Sequence, residues 1–159
     1  MLHIQNLEEL DLIYVCAADP FCFEDLEARG RAHAERNECK PHDLARPILF
    51  DFRGVALIRQ DSGAFSRVIA RRQTLAQPHA NNPAAFVVRN KDDYGMMRMY
   101  CALAAARGLR ELDRALITED MRIAAAWILA WGPQPDLPAE HLIDKLECAP
   151  SDTQAVRRA

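Results

Sequence analysis

Asp51 and Arg53 stand two residues apart in the run Pro47-Ile48-Leu49-Phe50-Asp51-Phe52-Arg53-Gly54. They are the best-placed polar pair of the chain, at the end of an apolar strand. Such a pair can orient a ligand where a strand leaves a sheet. Its ordinary role is simpler: Asp51 caps the turn around Gly54 and pairs with a nearby arginine. A second constellation is Asp61-Ser62-Gly63, ahead of a helical pattern. The ordinary reading is that Ser62 or Asp61 caps the helix.

That helix carries Arg67 and Arg71 one turn apart, with Arg72 adjacent. They can bind phosphate or an acidic partner. A solvated face with weak surface ion pairs is the commoner outcome of this spacing. A later helix holds Asp93, Tyr94, Met96, Met97, Arg98, Met99 and Tyr100. Methionine adapts to varied shapes, which suits a binding groove or a dimer face. A wide apolar arc more often marks burial against a sheet and a neighbouring helix.

Other chemistry is absent from the sequence. There is no Walker-type or dinucleotide-type glycine loop, no G-x-S-x-G elbow and no C-x-x-C. Cys39-Lys40-Pro41-His42 offers two ligands where a structural zinc site needs four. His3, His33, His42, His79 and His141 are scattered, and no nucleophile–base pair is visible. The expectation is a protein with no catalytic residues, no metal and no cofactor.

The 159 residues suffice for one domain with a real core. A net charge of −3 argues against general nucleic-acid binding, which needs a basic surface. No apolar run approaches the roughly 20 residues that span a bilayer. The N-terminus lacks a basic and an apolar region of signal type, so a cytoplasmic protein is expected. The five cysteines are odd in number and scattered, as expected of reduced thiols.

The elements that must position these residues follow from periodicity and punctuation. Leu2 to Gln5 and Asp11 to Ala17 read as a β-hairpin, closed by Asp19-Pro20. A helix is expected from Phe23 to Asn37, a strand from Ile48 to Phe52, and a helix after Asp61-Ser62. A strand from Ala84 to Arg89 precedes a helix opened by Asp92-Asp93 and stopped at Gly108. Weaker strand material spans Leu112 to Thr118, before a helix from Met121 to Ala130. Pro133, Pro135 and Pro138 mark a linker to a short helix over 139–146. The class is α/β, a mixed sheet with an N-terminal hairpin and later strands parallel and joined by helices. The expected division is a domain over 1–131 and a Pro-containing extension over 132–159.

This order resembles the STAS fold of sulfate transporters and anti-sigma-factor antagonists. Closer still are small bacterial antisigma-factor-antagonist-like proteins. Three pieces carry the resemblance. They are Leu12-Ile13-Tyr14-Val15 leading through Asp19-Pro20 into Glu24-Asp25-Leu26; Leu49-Phe50-Asp51-Phe52-Arg53-Gly54-Val55; and Ala85-Phe86-Val87-Val88 followed by Asp93 to Tyr100, with Ala126-Trp127-Ile128 at the end. The resemblance implies a STAS-like domain that regulates by binding a partner, and it places the antagonists' phosphorylated serine at Ser62. In this chain the link between Gly54-Val55 and Asp61-Ser62 is slightly longer than in the antagonists.

The expected role is therefore non-catalytic: binding a protein partner or small ligand at a rim made by Asp51 to Gly63 and the start of the helix at Asp93. The residues concerned are Asp51, Arg53, Asp61, Arg67, Arg71, Asp93, Tyr94, Met96, Met97 and Arg98. The resemblance extends to proteins described as STAS/SEC14-like, which implies the alternative: a carrier of a small apolar ligand, held between the sheet and the Met-rich helix. A homodimer is compatible with that helix.

Overall fold

The computed structural model describes residues 1–36, 46–74 and 82–147. Strands β1 (Leu2–Leu7) and β2 (Leu12–Ala18) form the antiparallel hairpin, with Leu7 opposite Leu12. One 3-10 turn, Glu8–Leu10, joins them. Asp11 closes it in the left-handed region at φ 49°, which a short polar side chain tolerates. The chain continues through α1 (Phe23–Arg36), β3 (Ile48–Gly54), α2 (Ser62–Thr74), β4 (Ala84–Val87), α3 (Lys91–Ala106), β5 (Ala115–Thr118), α4 (Met121–Leu129) and α5 (Ala139–Glu147).

The strands lie side by side in chain order, and β2 to β5 are parallel. The fold is thus the expected α/β mixed sheet. The order has a consequence for the helices. When each parallel strand is laid down beside the last with one crossover hand, all crossover helices fall on one face. Accordingly, α2 and α3 pack with Phe23 and Leu26 of α1 over Phe52 and Phe86 in one core. Helix α4 follows the last strand, so no crossover constrains it. It covers the other face, where Ala124, Ala125 and Ile128 meet Leu12, Tyr14, Leu49 and Ala85.

Three layers result, and each strand divides its residues between two cores. In β4 the alternation is complete. Ala84 and Phe86 join the first core, Ala85 and Val87 the second, and all four are buried. A strand covered on both faces needs this unbroken apolar run.

The segment after Gly132 folds back. Leu142 of α5 is fully buried in the second core. Lys145 pairs with Glu9, and Gln134 Nε2 donates to the Glu9 carbonyl at 3.2 Å.

Two local expectations are corrected. Leu112 to Arg114 form a 3-10 turn rather than strand, with Leu112 exposed, so β5 is only four residues long. Helix α3 is capped by Asn90, whose side chain accepts the Asp93 amide at 3.0 Å, and not by the Asp92-Asp93 pair. Asp93 is engaged elsewhere. Gly108 does follow α3 with φ +68°, the conformation that favours glycine after a helix.

Candidate functional site

The carboxyl ends of β2 to β5 form one rim. Cys16, Asp51, Val87 and Thr118 occupy one row across it, through the pairs Cys16–Asp51, Asp51–Val87 and Val87–Thr118. Laterally paired residues share a sheet face, here that of α4. Gly54 lets β2 and β3 close at this end. A Cβ there would stand 2.8 Å from the Ala17 carbonyl oxygen, too close for any side chain.

Asp51 is buried, and both of its oxygens are engaged. Oδ1 accepts the Arg53 amide at 3.1 Å and Arg53 Nε at 2.9 Å. Oδ2 accepts Arg53 Nη2 at 2.8 Å and the Tyr14 hydroxyl at 3.1 Å. The carboxylate is a brace, able to hold Arg53 in place but without a free lone pair aimed at a substrate. Burial, then the Asp51 charge, pushes the Tyr14 phenol well above its usual range. Burial does the same to the Cys16 thiol, again with Asp51 second. Both stay protonated near neutral pH, and a thiol without its thiolate is a poor nucleophile. Arg53 is half-exposed, and its hydrogen bonds to Asp51 raise its pKa further.

The other candidates lie on the opposite face or beyond the sheet. Asp61 caps the start of α2: Oδ1 accepts the Gly63 amide at 2.9 Å, and its carbonyl accepts the Ala64 amide at 2.9 Å. The Gly63 bond, then Arg67, holds the Asp61 carboxyl below its usual range. Arg67 also bonds Glu24 Oε1 through Nη2 at 3.0 Å, linking α2 to α1, and Arg71 pairs with Glu27 at 3.4 Å. Ser62 is the first residue of α2, and its side chain lies outside the described residues. Cys39 and His42 lie outside them as well.

Sequence reasoning assigned Asp93 to a helix start; the structure buries it completely. Oδ1 accepts the Ile58 amide at 2.9 Å, and Oδ2 forms an ion pair with Arg89 Nε at 3.2 Å. Asp19 Oδ2 accepts the neighbouring Ala56 amide at 3.2 Å. The turn after β3 is thereby tied to both β2 and α3. Its 3-10 segment, Leu57–Arg59, sends Leu57 into the core and leaves Ile58 53% exposed.

Beside Asp93, Tyr94 is 38% exposed, and Arg98 follows one helical turn later, also exposed. Arg59 is exposed next to Ile58. Met97 is fully buried with Phe65 and Tyr100, so it belongs to the core; Met96 and Met99 are partly buried against it. The expected single rim is therefore two surfaces. Asp51 and Arg53 sit on the α4 face, while Ile58, Arg59, Tyr94 and Arg98 sit on the turn and helix tied together by Asp93.

Sequence reasoning missed Tyr14 and, within the Asp51 to Gly63 rim, did not single out Ile58 and Arg59. Ile58 ends the apolar run Val55-Ala56-Leu57-Ile58, where only the 3-10 geometry distinguishes an inward from an outward residue. No protein-family model, curated protein or solved structure matches the chain.

Proposed function

We propose that this chain is a non-catalytic, STAS-like regulatory protein that binds a protein partner at the turn 57–59 and the first turns of α3. The observation that carries this reading is the pair of exposed apolar side chains, Ile58 and Tyr94, on backbone clamped by the buried Asp93. Exposed apolar groups on a fixed scaffold lose little entropy when they are covered. Arg59 and Arg98 flank them, with no ion pair to either among the described residues. The matching partner presents apolar anchors among acidic side chains.

The satisfied Asp51 and the protonated Cys16 and Tyr14 favour binding over chemistry at this end of the sheet. The packing of Phe65 and Met97 against Phe52 and Tyr100 favours a surface site over an apolar ligand carried inside. No helix among the described residues is long and apolar enough to cross a membrane.

Charge reversal is the direct test. The double variant Arg59→Glu, Arg98→Glu should lose the partner while keeping its circular dichroism spectrum and melting temperature. Unchanged partner binding by the folded variant would contradict the proposal.

A further inference from the structure

The amino end of the sheet carries a different arrangement. Arg110 follows the left-handed Gly108 and is only 8% exposed. Its Nη1 donates to the Asn82 carbonyl, just before β4, at 2.9 Å. Its guanidinium carbon lies 5.7 Å from the centroid of the Phe86 ring. Nearby on α2, half-buried Arg72 donates through Nη1 to the Tyr100 hydroxyl at 3.0 Å, and Tyr100 is itself buried.

Neither Arg72 nor Arg110 has a carboxylate at ion-pair distance among the described residues. By contrast Arg46, Arg53, Arg67, Arg71, Arg89 and Arg114 each have one. Burying a cation without an anion is unfavourable, and placing a second cation beside it adds to the cost. Burial depresses the Arg110 pKa, and the Arg72 charge acts in the same direction. Cys101, beside them, supplies no negative charge at neutral pH, since burial pushes its thiol up to about 11.

We propose that Arg72, Tyr100 and Arg110 form a binding site for a phosphate-type dianion. Each residue keeps donors that its protein partners leave over. Arg110 has five N–H groups and uses one on Asn82. The Tyr100 hydroxyl accepts from Arg72, which leaves its own proton to donate. Two guanidiniums match the charge of a dianion, and guanidinium is the side chain best suited to phosphate oxygens. Of the three arginines spaced along α2, Arg67 and Arg71 are neutralised by glutamates of α1. Arg72 alone turns to Tyr100. The site lies at the opposite end of the sheet from the rim, and its occupancy does not depend on the partner proposed there.

The test is calorimetric titration of the full chain with inorganic phosphate near pH 7.5, at ionic strength held constant with chloride. One-site saturation is expected with Kd of about 1 mM or tighter. Arg72→Gln should weaken binding at least about tenfold, the loss of one charged hydrogen-bonding group. Arg72 is only half-buried, so this variant should fold. Tyr100→Phe keeps the ring in the core and should weaken binding severalfold, which preserves the test should Arg72→Gln fail to fold. Acetate, a monoanion, should bind at least about tenfold more weakly than phosphate. No saturation with phosphate, equal affinity in wild type and the folded variants, or acetate binding as tight as phosphate would each overturn the assignment.

Discussion

The carboxylate of Asp93 holds the amide of Ile58 at 2.9 Å, across 35 residues of sequence. One buried side chain thus fixes the turn after β3 against the first turn of α3, and with it the exposed faces of Ile58 and Tyr94. The same acid faces Arg89, so its charge is compensated at the edge of the core.

Asp93→Ala removes the acceptor of the part-buried Ile58 amide and the buried partner of Arg89, whose own side chain is 44% exposed. It should cost about 2 kcal/mol in urea unfolding. Hydrogen exchange at the Ile58 amide should also accelerate more than at core amides of β4. A loss below about 0.5 kcal/mol, the range of an ordinary surface substitution, would show that the clamp is not holding the turn.

Stability should fall in alkali. Burial disfavours the thiolate and pushes the Cys101 thiol from its ordinary 9.0 up to about 11. Folding therefore favours the protonated form. The contribution is complete below about pH 9 and is lost as pH rises through about 11. That displacement corresponds to about 2–3 kcal/mol. Tyr14, raised from 10.0 chiefly by burial, adds to the decline above pH 10. Urea midpoints measured from pH 8 to 11 should fall steadily; a flat profile would contradict the burial of these groups.

Leu142 ties the C-terminal helix into the second core. Leu142→Ala should cost roughly 2–5 kcal/mol in urea unfolding, as for other fully buried leucines. A near-neutral result would mean that α5 packs only loosely on the sheet domain.

Much of the fold was legible because its signals are local. The hairpin, the continuously apolar strands around Leu49 and Phe86, and the glycine after α3 all follow from neighbouring residues. Asp51 with Arg53 was legible for the same reason, being an i, i+2 pair on one strand.

The rest depends on partners far apart in the chain. Tyr14 meets Asp51 across 37 residues, and Arg110 meets Asn82 across 28. Periodicity carries no information about such meetings. The methionines of α3 show a related limit. Helical spacing marks an apolar arc, but only the packing of Phe65 and Tyr100 decides that Met97 is core while Tyr94 faces outward. Likewise the spread of the rim candidates over two surfaces follows from strand order, which places α1 to α3 on one face and leaves the other to α4.

Site-specific photo-crosslinking in the native host tests the central proposal most directly. A photoreactive residue would replace Ile58 or Tyr94, with exposed Leu112, near the other end of α3, as the control position. Positions 58 and 94 should trap the same protein, through a peptide rich in acidic and apolar residues, and position 112 should not. The Arg59→Glu, Arg98→Glu background should abolish the adduct. Identical adducts from all three positions, or none from 58 and 94 while the protein stays folded, would contradict binding at this surface.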